Sequence, residues 1–135
     1  MKIEISNGEM LDKLSILEIK MDNVTDEVKR GNVKKEYSAL REALAFSDTS
    51  GPSWAPHVFR EYGFYDQLKE INEQLWAIED NIRIKEKNQE FDKDFIDLAR
   101  SIYKTNDKRA EMKKEINIYT ESKILEEKSY EDYSD

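Results

Sequence analysis

An apolar seam in the middle of the chain constrains the fold more than any other feature. Residues 68–87 have the sequence LKEINEQLWAIEDNIRIKEK, in which apolar side chains recur at steps of three and four residues. That spacing places them on one face of an α-helix. A second seam of the same period runs from Phe95 to Tyr119. Only NQEF separates the two segments, which predicts two long, antiparallel helices packed side by side.

The first half of the chain predicts shorter helices. Ser6 and Glu9 form a capping box that begins a helix. This helix ends either near residues 24–26 or at Gly31, and another helix follows from Val33 to about residue 46. Residues 47–63 hold both prolines and form a loop, with a turn or two of helix closed by Gly63. We expect the aromatic side chains of this loop to fold back over the end of the bundle.

These elements predict an all-α protein: an antiparallel helical bundle with three long helices and one shorter, and a short extended segment at residues 2–5. With 135 residues, of which 39% are charged and 38% hydrophobic, the core must consist of narrow seams between helices. We expect one domain at residues 1–120, with the loop at 47–63. Residues 121–135 hold six acidic and two basic side chains, and they predict an acidic tail.

The composition excludes several functions. The chain has no cysteine and one histidine, so we expect no thiolate or histidine metal site and no cofactor. Its net charge of −8 argues against nucleic acid as a partner. Because eighteen apolar residues nowhere run together, we expect no membrane partner and a cytoplasmic location, in the host cytoplasm if a phage encodes the chain.

Arg109 is the most unusual residue, because it occupies the apolar seam of the last helix. A buried guanidinium requires a carboxylate partner. Candidates lie on two other helices: Glu79, Asp80, Asp12 and Glu18. The polar stripe beside the α-helical seam at residues 68–87 contains Glu79, and this favours Glu79 as the partner, in a structural ion pair.

The alternative hypothesis is a small anion site between helices. Its residues are Arg83, Arg109, Lys113, Glu79 and Asn106. The catalytic residues of such a site are unknown. Two acid pairs with one-turn spacing, 9/12 and 70/73, resemble magnesium ligands of helical bundles, but such spacings arise by chance in a chain with 30 acids, and we expect no metal.

Four blocks of sequence carry a family resemblance. They are ISNGEMLDKLSILEIK at 5–20, INEQLWAIEDNIR at 71–83, FDKDFIDLARSIYKTNDKRAEMKKEIN at 91–117 and EEKSYEDY at 126–133. Together they resemble an uncharacterised family of small helical proteins, a domain of unknown function found in bacteria and tailed phages. The resemblance implies a single helical domain and no established activity. A fainter likeness to helical chorismate mutases concerns the fold alone.

The sequence therefore favours a non-enzymatic interaction or regulatory protein. Residues 14–21 are apolar on two sides, which predicts self-association as a homodimer, and a further protein partner would fit the same role. The alternative is a small helical enzyme or ligand-binding protein built on the anion site. The two hypotheses differ in one observable feature, namely whether the arginines and Lys113 converge on an open pocket or are each paired with a carboxylate.

Overall fold

Four long helices account for most of the molecule. A computed structural model describes residues 1–44 and 52–134. The helices are α1 (Asn7–Asn23), α2 (Glu27–Leu44), α3 (Phe64–Lys87) and α4 (Lys93–Tyr119), and a single π-helical turn, His57–Glu61, precedes α3. No strand occurs in the part of the chain that the structure describes. The all-α helical bundle predicted from the sequence is confirmed.

The first helix ends at the earlier of the two predicted positions. Val24 has an extended backbone, and the side chain of Asp26 accepts a hydrogen bond of 2.9 Å from the backbone N–H of Lys29, at the start of α2. The Arg30 guanidinium folds back and donates to the carbonyl of Met21, at the end of α1. Gly31 lies inside α2. The bundle therefore has helices of 17 and 18 residues before the two longest helices, of 24 and 27 residues.

Helix α1 lies at the centre of the bundle, where it contacts α2, α3 and α4. Leu11 and Leu14 are fully buried, and Ile19 is nearly so. Leu11 and Leu14 belong to a core that includes Leu68 of α3 and Ile116 of α4. Contacts within one chain thus account for the two-sided apolarity of residues 14–21. Self-association stays a prediction that needs other support.

The segment before α3 folds back onto the core, as the sequence predicts. Val58 is fully buried, and Trp54 and Phe59 pack against the same apolar cluster. Gly63 has a φ of 63°, the left-handed conformation that glycine adopts without strain, and it ends the turn before α3 begins. Residues 45–51, which include the first part of the predicted loop, lie outside the described residues.

The acidic tail carries no helix in its described part, residues 121–134, but it contacts the bundle. The Glu126 carboxylate accepts hydrogen bonds from the Ser6 hydroxyl and, at 3.2 Å, from the amide of Asn117. Farther along, the Tyr133 hydroxyl donates to Asp107 of α4, and this hydrogen bond raises the pKa of Tyr133 to about 12. The tail that the sequence predicts as a separate acidic segment thus has polar anchors along α4 and at the start of α1.

The start of α1 approaches α4 so closely that only glycine fits. The backbone N–H of Gly8 donates to the Asn117 side chain at 2.6 Å, and a Cβ atom on Gly8 would lie 2.6 Å from the Lys113 carbonyl oxygen. We expect Gly8→Ala to lower the free energy of unfolding by about 1 to 3 kcal/mol, because α1 and α4 must separate. Denaturant unfolding measures this loss.

Gly31 provides the matched control, because nothing lies within 4 Å of the position its Cβ would occupy. Gly31→Ala should raise the free energy of unfolding by about 0.5 to 1 kcal/mol, since alanine favours the helix interior. Equal effects of the two substitutions would contradict the close contact between α1 and α4.

Candidate functional site

Arg109 forms an ion pair with Asp12, not with Glu79. Its Nε donates to Oδ1 of Asp12 at 2.8 Å, and its Nη2 donates to Oδ2. The side chain of Asp12 is 1% exposed and that of Arg109 is 29% exposed. This two-point geometry is the strongest form of arginine–carboxylate pairing. The preference for Glu79 was wrong, because α1 packs against both α3 and α4 and brings Asp12 to Arg109, whereas Glu79 pairs with Arg83.

Asp12 has further polar partners, all buried. The side-chain amide of Asn72, on α3, donates to Oδ1 of Asp12 at 2.9 Å and to the Ser15 hydroxyl at 2.7 Å. Ser15 in turn donates to the Asp12 carbonyl oxygen at 2.8 Å. This network joins α1, α3 and α4 through one carboxylate. A buried polar network that satisfies its members fixes how helices pack.

Lys113 takes part in the same network one turn along α4. Its ammonium group contacts the Glu9 carboxylate and lies 3.8 Å from Oδ2 of Asp12. Ser6 accepts from the backbone N–H of Glu9 at 3.0 Å, so the predicted cap is present while the Glu9 carboxylate faces Lys113. The acid pair at 9/12 therefore faces cations. Within the described ranges, no cluster of acidic or histidine side chains could hold a metal ion.

Two of the remaining candidate acids, Glu79 and Glu18, have other partners. Glu79 pairs with Arg83 one turn farther along α3, at 3.2 Å, and the Arg83 side chain is 76% exposed. Glu18 pairs with Lys69 at 2.9 Å, and this hydrogen bond raises the pKa of Lys69. The Arg83, Arg109 and Lys113 side chains are thus each paired with a carboxylate.

An open cleft of about 400 Å³ lies beside this network, between α1, α3 and α4. Ile16, Leu75 and Trp76 form its apolar wall. Of the five residues predicted for an anion site, all except Lys113 line it. The polar stripe along α3 that the sequence singles out is therefore one side of this cleft. The sequence thus predicts which residues lie together. It does not predict that the arginines among them are already paired with carboxylates.

The electrostatics of Arg109 follow from its pairing. Hydrogen bonding to Asp12 raises the pKa of Arg109 above its already high ordinary value, and burial only partly opposes this effect. The pairing with Asp12 therefore favours the cationic form of the guanidinium. Since two of its nitrogens are bound to Asp12, it offers a ligand in the cleft much less charge than an unpaired arginine would.

Sequence reasoning missed the roles of Asn72 and Ser15. Ser15 lies three residues after Asp12 on α1, and Asn72 lies four residues after Leu68 on α3, on the polar stripe beside the apolar seam. Such residues are a signal of a buried network, because an unpaired polar group inside a core is costly. Arg109 gives the same signal, because a charged residue in the apolar seam of α4 predicts a buried partner.

The comparisons with known proteins give one match. One protein-family model, described as a family of unknown function, covers residues 1–134. This confirms the resemblance to an uncharacterised family. No curated protein and no solved structure matches the chain.

Proposed function

We propose, for a chain that belongs to the family of unknown function DUF6165, that it is a non-enzymatic interaction protein that works as a homodimer. Its interaction surface is the distal part of the α3–α4 pair, residues 76–104, which we call the arm. The proposal depends on the exposure of this arm.

The arm supports the proposal because no third helix covers it. None of the residues 76–104, all of which the structure describes, is buried, although the seam continues through it. Ile84, Phe91 and Ile96 are each more than half exposed, and Tyr103 is 43% exposed. A run of apolar side chains in contact with water is typical of a surface that binds another protein. A second helical pair packed on the arm would complete a four-helix arrangement.

Charge favours a second copy as the partner. The arm carries seven acidic and six basic side chains, so its net charge is −1, although the whole chain carries −8. Two arms can therefore approach with little net repulsion, whereas the rest of the surface repels a copy of itself. Mixed charge also disfavours a strongly acidic or strongly basic partner.

The alternative, an enzyme or ligand-binding protein with an anion site, has less support. It requires unpaired cations around the cleft, and the three predicted cations each have a carboxylate partner.

No described helix is long and apolar enough to cross a membrane. We propose the cytoplasm as the compartment, because a chain without cysteine suits a reducing environment.

One series of thermal melts separates the two functions. For a dimer, each tenfold increase in protein concentration contributes about 1.4 kcal/mol per dimer, so Tm should rise by roughly 2 to 4 °C. Phosphorylated and carboxylated metabolites should leave Tm unchanged at fixed protein concentration. A Tm that is independent of protein concentration but raised by a metabolite would contradict the proposal and support the anion site.

A further inference from the structure

We propose that the end of the acidic tail, residues 128–134, regulates dimerisation by covering the arm at Tyr103. We call these residues the tail end. A second copy that packs on this part of the arm has to displace the tail end, so the two compete for one surface. The proposal rests on the homodimer proposed above and specifies what regulates it.

The chain reverses direction directly after α4. Glu121 has a φ of 52°, the left-handed conformation, and its backbone N–H donates to the Ile118 carbonyl oxygen at 3.2 Å. The backbone N–H of Ser122 donates to the Asn117 carbonyl oxygen at 2.8 Å. These two hydrogen bonds form a Schellman motif, which ends the helix.

Two contacts show that the tail then runs back along α4. The carboxylate of Glu127 lies 3.6 Å from the ammonium group of Lys114, and the Tyr133 hydroxyl donates to Asp107 at 2.5 Å. Later residues of the tail thus contact earlier residues of the helix. Lys114 and Asp107 are about two helical turns apart, so the tail follows one face of α4.

The same face carries exposed apolar side chains of the arm. Tyr103 lies one turn before Asp107, and Ile96 lies two turns before Tyr103. The ring of Tyr133 packs edge-on against that of Tyr103, at 77° and with centroids 5.1 Å apart. Tyr103 is still 43% exposed with this contact in place. The tail end therefore covers part of the surface through which we propose that the arm binds a second copy.

The tail end is held more weakly than the part of the tail before it. Glu126 is anchored by the hydroxyl of Ser6 and the amide of Asn117, at the start of α1 and the end of α4. By contrast, all residues of the tail end are exposed, and Tyr133 makes the hydrogen bond and the ring contact that join them to α4. A segment with so few buried contacts opens at little cost. The tail end can therefore leave the arm while Glu126 stays in place.

Competition by the tail end raises the apparent Kd of the dimer. A tail end that is docked in about two thirds of the chains leaves about one third of the arms open. Because a dimer needs two open arms, the apparent Kd is then about nine times the Kd between open arms. The tail end thus sets the protein concentration at which the chain dimerises.

Tyr133→Ser tests this competition without changing the charge of the tail. It removes the ring and the phenol that contact α4, so the Kd from sedimentation equilibrium should fall about ninefold. The fold should persist, because Tyr133 is 54% exposed. The matched control is Tyr130→Ser, since Tyr130 is 77% exposed and its ring lies 5.6 Å from the ammonium group of Lys128, within the tail end itself. This control should leave the Kd unchanged.

A nuclear Overhauser effect between the rings of Tyr133 and Tyr103 gives an independent readout. It should be present in Phe91→Asp, a variant expected to be monomeric, and absent from the wild-type dimer at the same concentration. Persistence of this signal in the dimer, its absence from the monomer, or equal Kd values for wild type and Tyr133→Ser would overturn the inference and leave the homodimer standing. Strictly monomeric wild-type and Tyr133→Ser proteins would overturn the proposed function and the inference together.

Discussion

Replacing Arg109 with methionine should lower the free energy of unfolding by about 3 to 5 kcal/mol, because it leaves the buried Asp12 carboxylate without its main partner. Asp12 is 1% exposed and cannot reach water without a movement of α1. Lys113, 3.8 Å from Asp12, can approach only partly, since it also pairs with Glu9. Urea unfolding of both proteins, monitored by circular dichroism, measures the difference.

The matched control is Glu79→Ala, on the α3 stripe that the sequence favoured. Its partner Arg83 is 76% exposed and can return to water. The free energy of unfolding should therefore change by no more than about 0.5 kcal/mol. The opposite order, in which Glu79→Ala unfolds the protein and Arg109→Met is harmless, would show that the pairing with Asp12 does not stabilise the fold.

The double variant Asp12→Leu with Arg109→Met distinguishes two causes of the stability loss: the broken ion pair and the lost packing contacts. Replacing both charges with apolar side chains of similar size removes the stranded carboxylate, so much of the stability should return. Asn72 and Ser15 still bond to each other, which limits the number of polar groups left without a partner. A double variant no more stable than Arg109→Met would mean that the loss came from packing alone.

The helix boundaries could be predicted because local chemistry determines them. Ser6 and Asp92 each accept a hydrogen bond from a backbone N–H three residues ahead, and Gly63 adopts a left-handed conformation. These caps act within one turn of helix, so the sequence contains the information they need. The sequence does not decide where α1 ends, because both Gly31 and residues 24–26 are able to end a helix.

The partner of Arg109 could not be predicted with the same certainty. Periodicity shows which residues share a face of one helix, but not which residue of another helix lies opposite. In the sequence the polar stripe of α3 favours Glu79, and Asp12 is only one of the other candidates. The packing of Leu11 and Leu14 against Leu68 of α3 and Ile116 of α4, which places α1 beside both helices, decides between them. The cleft residues were predicted together because they belong to one stripe of α3 and the adjoining face of α4.

Replacing Phe91 with aspartate should weaken dimerisation by about 100-fold or more, the typical effect of removing a buried aromatic anchor from an interface. The fold of the single chain should persist, because Phe91 is 56% exposed within it. Tyr130→Asp is the control: Tyr130 is a 77% exposed aromatic residue in the tail, and its replacement should leave the dimer unchanged. Equal weakening by both substitutions would point to added negative charge rather than to the arm.

Sedimentation equilibrium of the wild-type chain tests the central claim, self-association through the arm, most directly. The single chain has a mass of 16.0 kDa. At tens of micromolar protein we predict a mass of twice that value, which falls to that of a single chain in Phe91→Asp under the same conditions. A wild-type mass that stays at 16.0 kDa across the whole concentration range would contradict the account.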